Sequence, residues 1–420
     1  MSKLYGNAPN ASALYTVTAI VDKIPNISPP LDNEERARRL ESEGLSLLVV
    51  DKENVQGKAL PSGRFGGPAN EGSDLLISIQ SQSTSQRPTS FTHEVGLRLA
   101  NTVFVNGKES TLFGVQWTRD DTTNEYTVDS TVDLTSCAVN AVTSTSSSTG
   151  ASPHLVLPLY PIGERRKVVA SMGNILRQIS KSVDPTSTEA IPASRELEKD
   201  LPHYIREHNI MDQRVSVWAL VEKPDVVVAD RNVPTQEYLI QSLRHGGKLH
   251  RVVSGGGGWG KKQGLLSLDP EISFSASAQR DGLVGLDQLF QPSADAELGL
   301  PPFIMKGLVS GDLSLLSQVA AAGDFIQFFV AVDPTCAQKS DAIPSDGNIM
   351  YRFGMVSNAE EVSLSEATNS CDKITVVPNS FGALSEKAIG YTQRVAQGGE
   401  TSESSTKLDI PGCRVILNTV

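Results

Sequence analysis

The stretch TQEYLIQSLRHGGKLHRVVSGGGGWGKK, residues 235–262, carries the clearest structural pattern in this chain of 420 residues. Residues 235–245 have apolar side chains at helical spacing, and Gly246-Gly247 is a typical helix stop. Residues 248–253 are then predicted to form a strand. With a further strand predicted at 215–221, the strand–helix–strand order is typical of an α/β unit.

A second helix is predicted upstream, over residues 164–181. Basic residues, among them Arg165, Arg166 and Lys167, surround a set of apolar residues. The apolar set falls at helical spacing and consists of Val168, Val169, Met172, Ile175, Leu176 and Ile179. This pattern predicts an amphipathic basic helix.

The outer parts of the chain favour strands. Short apolar runs bounded by turn residues occur at 45–50, 325–332 and 348–356. We therefore expect a mixed fold, α+β or α/β, with strand-rich N- and C-terminal parts around a helix-containing middle segment.

Composition suggests four regions. Residues 1–142 form a strand-rich N-terminal domain with long loops, and the Ser/Thr-rich tract 143–153 is a linker. Residues 154–270 are the α/β segment. Residues 271–420 form a strand-rich acidic C-terminal part, either separate or in one domain with 154–270.

The formal net charge is −11, which argues against a protein that binds nucleic acid nonspecifically through a basic surface. The charge is unevenly distributed: residues 151–270 carry 16 basic and 13 acidic residues, whereas residues 271–420 carry 9 and 18. The middle segment is thus the part that would attract an anionic partner. No window approaches 18 uninterrupted apolar residues, so we expect a soluble protein without a membrane-spanning helix.

The four cysteines lie far apart and form no CxxC pair. This spacing excludes a dense disulfide scaffold and gives no sign of a zinc site, so we predict reduced thiols, no metal and an intracellular protein. The N-terminus lacks the features of a secretory signal, and no Arg precedes Arg36, which argues against a cleavable transit peptide.

The glycine-rich loop after residue 253 is the candidate binding site. Between Glu237 and Asp269 there are five Lys or Arg residues and no acidic residue. Consecutive glycines leave several backbone N–H groups free to converge on one anion, and flanking lysines add charged donors. The candidate ligand-binding residues are Arg251, Ser254, Gly255, Gly256, Gly257, Gly258, Trp259, Gly260, Lys261 and Lys262, extended by Arg165, Arg166 and Lys167.

Two known phosphate motifs fit this loop only formally. Gly255, Gly260 and Lys261 satisfy the P-loop spacing, but Lys262 stands where magnesium binding needs Ser or Thr. The same glycines also satisfy the dinucleotide pattern, and a run of glycines satisfies almost any such pattern. Neither motif identifies a cofactor.

Three functions remain open. The first is a binding or assembly protein that contacts RNA or a phosphate-bearing small molecule through residues 254–262, with Trp259 stacking on a ring and a protein complex as a further partner. The second is an enzyme acting on a nucleotide or phosphorylated metabolite, with His245 or His250 as proton carrier. The third is a scaffold subunit whose glycine loop only packs. No residue qualifies as catalytic by its spacing, because Ser254 has no identifiable base.

Two stretches, PLYPIGERRKVVASMGNILRQIS (158–180) and LHRVVSGGGGWGKKQGLLSLDP (249–270), resemble fungal proteins of unassigned function. The resemblance implies an intracellular setting, cytoplasmic or mitochondrial, and no residue role.

Overall fold

The computed structural model of the protein describes residues 13–26, 41–60, 74–83, 89–103, 107, 110–120, 122–123, 125–142, 153–183, 189–210, 215–225, 233–255, 264–270, 280–291, 318–332, 349–357, 374, 376–397 and 400–418. The strands found in these ranges are β1 (Ala13–Ala19), β2 (Ile24–Pro25), β3 (Glu41–Ser42), β4 (Val55–Ala59), β5 (Leu75–Ser83), β6 (Thr89–Leu97), β7 (Leu112–Asp120), β8 (Glu125–Val142), β9 (His154–Val156), β10 (Leu159–Met172), β11 (Ile175–Ser180), β12 (Ala190–Pro192), β13 (Val217–Glu222), β14 (Lys248–Gly255), β15 (Leu266–Leu268), β16 (Val284–Gly285), β17 (Phe325–Ala331), β18 (Met350–Met355), β19 (Ser380–Ser385), β20 (Ile389–Gln397), β21 (Glu400–Leu408) and β22 (Arg414–Asn418). The α-helices in the same ranges are α1 (Ser194–Glu207), α2 (Thr235–Arg244) and α3 (Leu286–Leu289).

The fold is mostly β. The expected mixture of α and β with a helical middle segment is therefore wrong. The middle segment consists chiefly of strands, and its two longer helices pack beside them.

Six strands close into a barrel in the order β10-β17-β13-β14-β15-β11, and β10 pairs with β11 to complete the ring. Every pairing in the ring is antiparallel. Each strand of the closed barrel therefore has a neighbour on both sides, and the ring leaves no open sheet edge.

The predicted strand over 215–221 is confirmed as β13, which is buried on both faces. Val217, Ala219 and Val221 point into the barrel core, whereas Trp218 and Leu220 join a larger core outside the barrel. Burial of both faces explains why this sequence is a continuous apolar run rather than an alternating one. The predicted helix at 235–245 and strand at 248–253 are also confirmed, as α2 and β14.

The predicted basic helix over 164–181 is wrong, because these residues form β10, β11 and the turn between them. Gly173 has φ +60° and is the first central residue of this two-residue turn, where a type II′ hairpin needs glycine. Two register shifts beside Ala170 add extra residues to the β10–β11 pairing. Together with the turn, these shifts break strict alternation and place the apolar residues three and four apart, as in a helix.

A nine-stranded sheet, here called the N-terminal sheet, packs beside the barrel. Its main order is β1-β7-β8-β5-β6-β20-β21, and β4 joins it through β8 and carries β16. The long strand β8 pairs with β7 over its first half and with both β4 and β5 over its second half. Strands β20 and β21, from the end of the chain, thus extend a sheet that begins at residue 13.

A buried carboxylate ties a distant segment to the N-terminal sheet. Glu94 is 3% exposed, and its Oε2 accepts hydrogen bonds from Ser78 Oγ (2.8 Å) and Arg280 Nε (3.0 Å). Arg280 precedes β16 and α3. The ion pair therefore anchors the segment 280–291 on the sheet.

The barrel and the N-terminal sheet meet where β14 passes β21. Trp218 Nε1 donates to Asp409 Oδ1 at 2.6 Å, and Lys407 Nζ lies 2.7 Å from Asp269 Oδ2. A four-stranded sheet, β19-β18-β22-β9, and the short pair β2–β3 complete the described fold. The predicted strands at 325–332 and 348–356 are confirmed as β17 and β18.

Cys137 and Cys413 are free thiols, as predicted, and both are buried. Burial raises the pKa of Cys137 to about 12 and that of Cys413 to about 11, so both stay protonated at neutral pH. The other two cysteines and residues 143–152 of the predicted linker lie outside the described residues. None of the described helices has the length and apolar character needed to cross a bilayer.

Candidate functional site

The glycine-rich segment connects β14 to β15 at one end of the barrel. Gly255 pairs with Leu266, and Leu266 pairs with Leu176 on β11, so the connection leaves the ring where β11 begins. Seven of the predicted binding residues lie outside the described residues: Gly256, Gly257, Gly258, Trp259, Gly260, Lys261 and Lys262. The two ends of the loop are described.

Packing accounts for the glycine at each end. A Cβ atom on Gly255 would lie 2.8 Å from the Leu265 carbonyl oxygen and closer still to the Leu266 side chain. Gly264 has φ +83°, and a Cβ there would lie 2.5 Å from Pro192 Cβ. These two glycines are thus required by close approach and backbone conformation, whether or not a ligand binds.

The far end of the loop rests on the start of α1. The Ser194 N–H donates to the Gly264 carbonyl oxygen at 3.1 Å, and the Ala193 N–H donates to the Arg177 carbonyl oxygen at 3.0 Å. These bonds place Arg177, on β11, and Arg195, in the first helical turn, beside the loop end. Both side chains are exposed, and neither forms an ion pair with another described residue.

Arg177 and Arg195 lie at the loop end but were not among the predicted binding residues. Arg177 was assigned to the wrong kind of element, a basic helix. Arg195 belongs to the charged run RELEKD, in which three acidic residues outnumber two basic ones, so it gave no local signal. Only the register of β11 and the hydrogen bond from Ser194 place these arginines at the loop.

Arg251 and Ser254 lie on β14, the strand that leads into the loop, and both are exposed. Arg251 Nη2 donates to Ser216 Oγ at 3.2 Å, and its guanidinium lies 5.8 Å from the centre of the Trp218 ring. Arg251 lies four positions before Gly255, which is about 13 Å along a strand. Arg251 therefore flanks the loop at a distance, on the outer surface of the barrel.

Arg165 is engaged elsewhere. Its Nε donates to Glu222 Oε2 at 2.5 Å, and its guanidinium stacks 3.6 Å from the centre of the Phe325 ring. Glu222 is 2% exposed and also accepts hydrogen bonds from Tyr238 Oη (2.9 Å) and Ser242 Oγ (2.7 Å) on α2. This cluster neutralises the Arg165 charge and fixes α2 to the barrel.

Arg166 is held by two glutamates. Its Nη2 lies 3.2 Å from Glu164 Oε2, and its Nε lies 3.3 Å from Glu196 Oε1 on α1. Burial raises the pKa of Glu196, although the Arg166 charge acts in the opposite direction. Lys167 follows on β10, opposite Phe325, and its N–H donates to Ser180 Oγ at 3.0 Å.

The structure therefore does not bring residues 165–167 to the loop. Leu176 is the β11 residue that lies at the loop end, because it pairs with Leu266. On β10, the residue in register with Leu176 is Ser171. Arg166 is five residues from Ser171, roughly 16 Å along the strand. The carboxylates of Glu222 and Glu196 compensate most of the charge in this group.

The two histidines considered as proton carriers have separate surroundings. His250 is buried at 4% exposure, with its Nδ1 3.0 Å from the Asp269 carbonyl oxygen. His245 follows α2 and is exposed, with its Nδ1 2.7 Å from the Gln241 carbonyl oxygen. Among the described residues no three His, Cys, Asp or Glu side chains converge as metal ligands.

The described part of the site thus consists of the end of β14, Gly264 before β15, the first turn of α1 and two exposed arginines. The two guanidinium groups can hold an anion through charged hydrogen bonds. Comparison with known proteins yields no match, whether to a protein-family model, to a curated protein or to a solved structure.

Proposed function

We propose that the protein binds a phosphate-bearing ligand, RNA or a phosphorylated small molecule, at the glycine-loop end of the barrel. Binding or assembly, rather than turnover, is its role. One observation carries the proposal: Arg177 and Arg195 stand exposed beside the loop end, without an acidic partner among the described residues. Two such cations in an acidic chain attract phosphate.

The remaining contacts come from the loop and the strand that leads into it. The main-chain N–H groups of 255–258 and the side chains of Lys261 and Lys262 hold phosphate, and Trp259 stacks on a base. Arg251 contacts a phosphate farther along the barrel surface. Arg165 and Arg166 have no part in binding, because Glu222, Glu196 and Glu164 already compensate their charges.

Fluorescence anisotropy with a labelled single-stranded RNA, measured between about 50 and 200 mM salt, tests the RNA arm of this proposal. Thermal shift with inorganic pyrophosphate and with ATP tests the small-molecule arm. The double variant Lys261→Ala/Lys262→Ala should weaken binding and reduce the salt dependence by about one to two phosphate contacts. Arg177→Ala should reduce it by about one.

Lys199→Ala is the matched control, because Lys199 is 84% exposed on α1 but outside its first turn. It should leave binding and salt dependence unchanged. The proposal is wrong if the wild type and the double variant bind equally and no anion raises the melting temperature. That result would favour a scaffold subunit whose glycine loop has only a structural role. Turnover of ATP that is lost in His250→Ala would favour the enzyme.

A further inference from the structure

A second site, unrelated to the glycine loop, lies at the edge of the N-terminal sheet. A cavity of about 570 Å³ is bounded by β1 on one side and by residues 44–53 on the other. Its floor is apolar and includes Leu75, Ile77 and Val139 from the sheet. This volume lies within the usual range of ligand sites in proteins.

The cavity runs along two backbones rather than under one face of a strand. Consecutive residues 13–17 of β1 line it, and so do consecutive residues 44–53. Because side chains alternate across a strand, a cavity under one face would be lined by every second residue. The other edge of β1 is occupied by β7, so the cavity follows the edge that β7 leaves open.

Both backbones present an open edge to this cavity within the described part of the chain. Strand β1 ends the sheet and pairs with β7 alone. Residues 45–50, predicted to be a strand, join no sheet, and residues 44–50 make no main-chain hydrogen bond to another described main-chain group. Two rows of N–H and C=O groups therefore border one apolar slot, which is the pattern that an added strand satisfies.

The unpaired segment has the side-chain alternation of a strand. Leu48 and Val50 pack against the core, whereas Leu45, Leu47 and Val49 are exposed at 87%, 59% and 64%. These three outward apolar side chains, at alternate positions, form an exposed apolar patch, which is typical of a surface that contacts another molecule.

Charge around the slot indicates what kind of peptide would fit. Lys23 is paired with Glu43 at 3.2 Å, and Lys52 is paired with Asp287 at 3.0 Å. Asp51 and Glu53 form no ion pair with another described residue, so the rim carries a net negative charge.

We propose that this slot binds an extended apolar segment of a partner protein, flanked by Lys or Arg, which adds to β1 as a new strand. Main-chain hydrogen bonds to β1 and to residues 44–50 supply affinity, and the apolar floor selects the side chains. Backbone groups on both sides favour a peptide over a lipid or another small apolar molecule, which would leave those groups unpaired.

The experiment uses the full chain and a panel of labelled peptides that alternate Val with Thr between terminal lysines. We expect saturable binding, seen as a rise in fluorescence anisotropy. The same peptides with alternate main-chain nitrogens methylated along one edge should bind at least about tenfold more weakly, and peptides with terminal glutamates should also bind more weakly. Leu47→Asp should reduce binding by about tenfold or more.

Val128→Asp is the matched control, because Val128 is an exposed apolar residue of the same sheet outside the slot. It should bind the peptides like the wild type, and so should Lys261→Ala/Lys262→Ala, which separates this site from the phosphate site. The proposal is overturned if no peptide in the panel binds, or if methylated and unmethylated peptides bind equally. It is also overturned if a hydrophobic dye binds in the slot and peptides fail to displace it. A third contrary result would be a dimer of the chain that Leu47→Asp dissociates and that peptides do not compete with.

Discussion

The barrel and the N-terminal sheet differ in what happens to their strand edges. The barrel closes on itself through β10 and β11, so each of its six strands has a partner on both sides. The sheet remains open and ends at β1 and β21. Because the barrel is closed, structural variation is confined to the loops between its strands. An open sheet, in contrast, can add a strand from another molecule at its edge. The two proposed sites follow this division: one is a loop and the other an edge.

The largest expected effect compares one buried carboxylate from each region. Glu222→Gln should cost about 3–5 kcal/mol of unfolding free energy, because it leaves the partly buried Arg165 charge unpaired. Glu94→Gln should cost about 1 kcal/mol less, since Arg280 is 29% exposed against 17% for Arg165 and water compensates it better. Urea denaturation measures both.

The matched control is Glu403→Gln, which removes an exposed ion pair with Arg394. That variant should lose less than about 1 kcal/mol. A loss of similar size in Glu222→Gln would contradict the role assigned to the buried carboxylate.

Acid should weaken the N-terminal sheet through His93, which burial and the Arg244 charge hold at a pKa of about 4. The folded state keeps this ring neutral, whereas the unfolded chain protonates it below about pH 6.5, so the unfolded state binds more protons and stability falls as pH falls from 6.5 to 4. Between pH 7 and pH 5 this contribution is about 2 kcal/mol. His93→Asn should lack it, and urea denaturation at both pH values measures the difference.

The control for this prediction is His203→Asn, since His203 is 74% exposed. It should retain the full pH dependence of the wild type. An equal loss of stability between pH 7 and pH 5 in His93→Asn and the wild type would contradict the assignment.

Two glycines allow the main chains of the barrel and of the N-terminal sheet to be compared. Gly255→Ala should destabilise the barrel by about 2 kcal/mol, because the new Cβ meets the Leu265 carbonyl oxygen across a closed hairpin. Gly285→Ala, in the N-terminal sheet, meets no atom within 4 Å and should cost less than about 1 kcal/mol. Thermal denaturation compares the two, and equal losses would show that the hairpin can relax.

The smallest effect is expected at the open slot. Leu47→Ser should change stability by no more than about 0.5 kcal/mol, because Leu47 makes little contact with the rest of the chain. Leu48→Ser, one residue along, should cost about 1–2 kcal/mol, since Leu48 packs against the core. If both variants lose the same amount in urea, the segment does not have the strand-like alternation described above.

The sequence allowed correct prediction of elements whose cause is local. The helix at 235–245 ends where Gly246-Gly247 stops it, and the apolar run of β13 is long enough to identify as a strand. The hairpin of β10 and β11 was misjudged because register shifts imitate helical spacing. Barrel closure could not be predicted, because it depends on the pairing of β10 with β17, which lies about 160 residues away along the chain.

The candidate site shows the same limit. The glycine loop was found from its composition, and Arg251 from its neighbourhood. The partners of Arg165 and Arg166, Glu222 and Glu196, lie 57 and 30 residues farther along the chain. No local pattern reveals that such charges are compensated, so a basic stretch looked like a binding surface.

The pairing of β6 with β20 has a consequence for how the protein is made. Strand β6 ends at Leu97, and its partner begins at Ile389, so about 290 residues must be translated before this edge is covered, which takes roughly 15–60 s. During that interval β6, with Val95 and Leu97 at its end, can pair with β5 along one edge, but the partner of its other edge has not yet been made. We therefore expect this edge of β6 to stay open to contact with other chains until residues 389–397 have been translated.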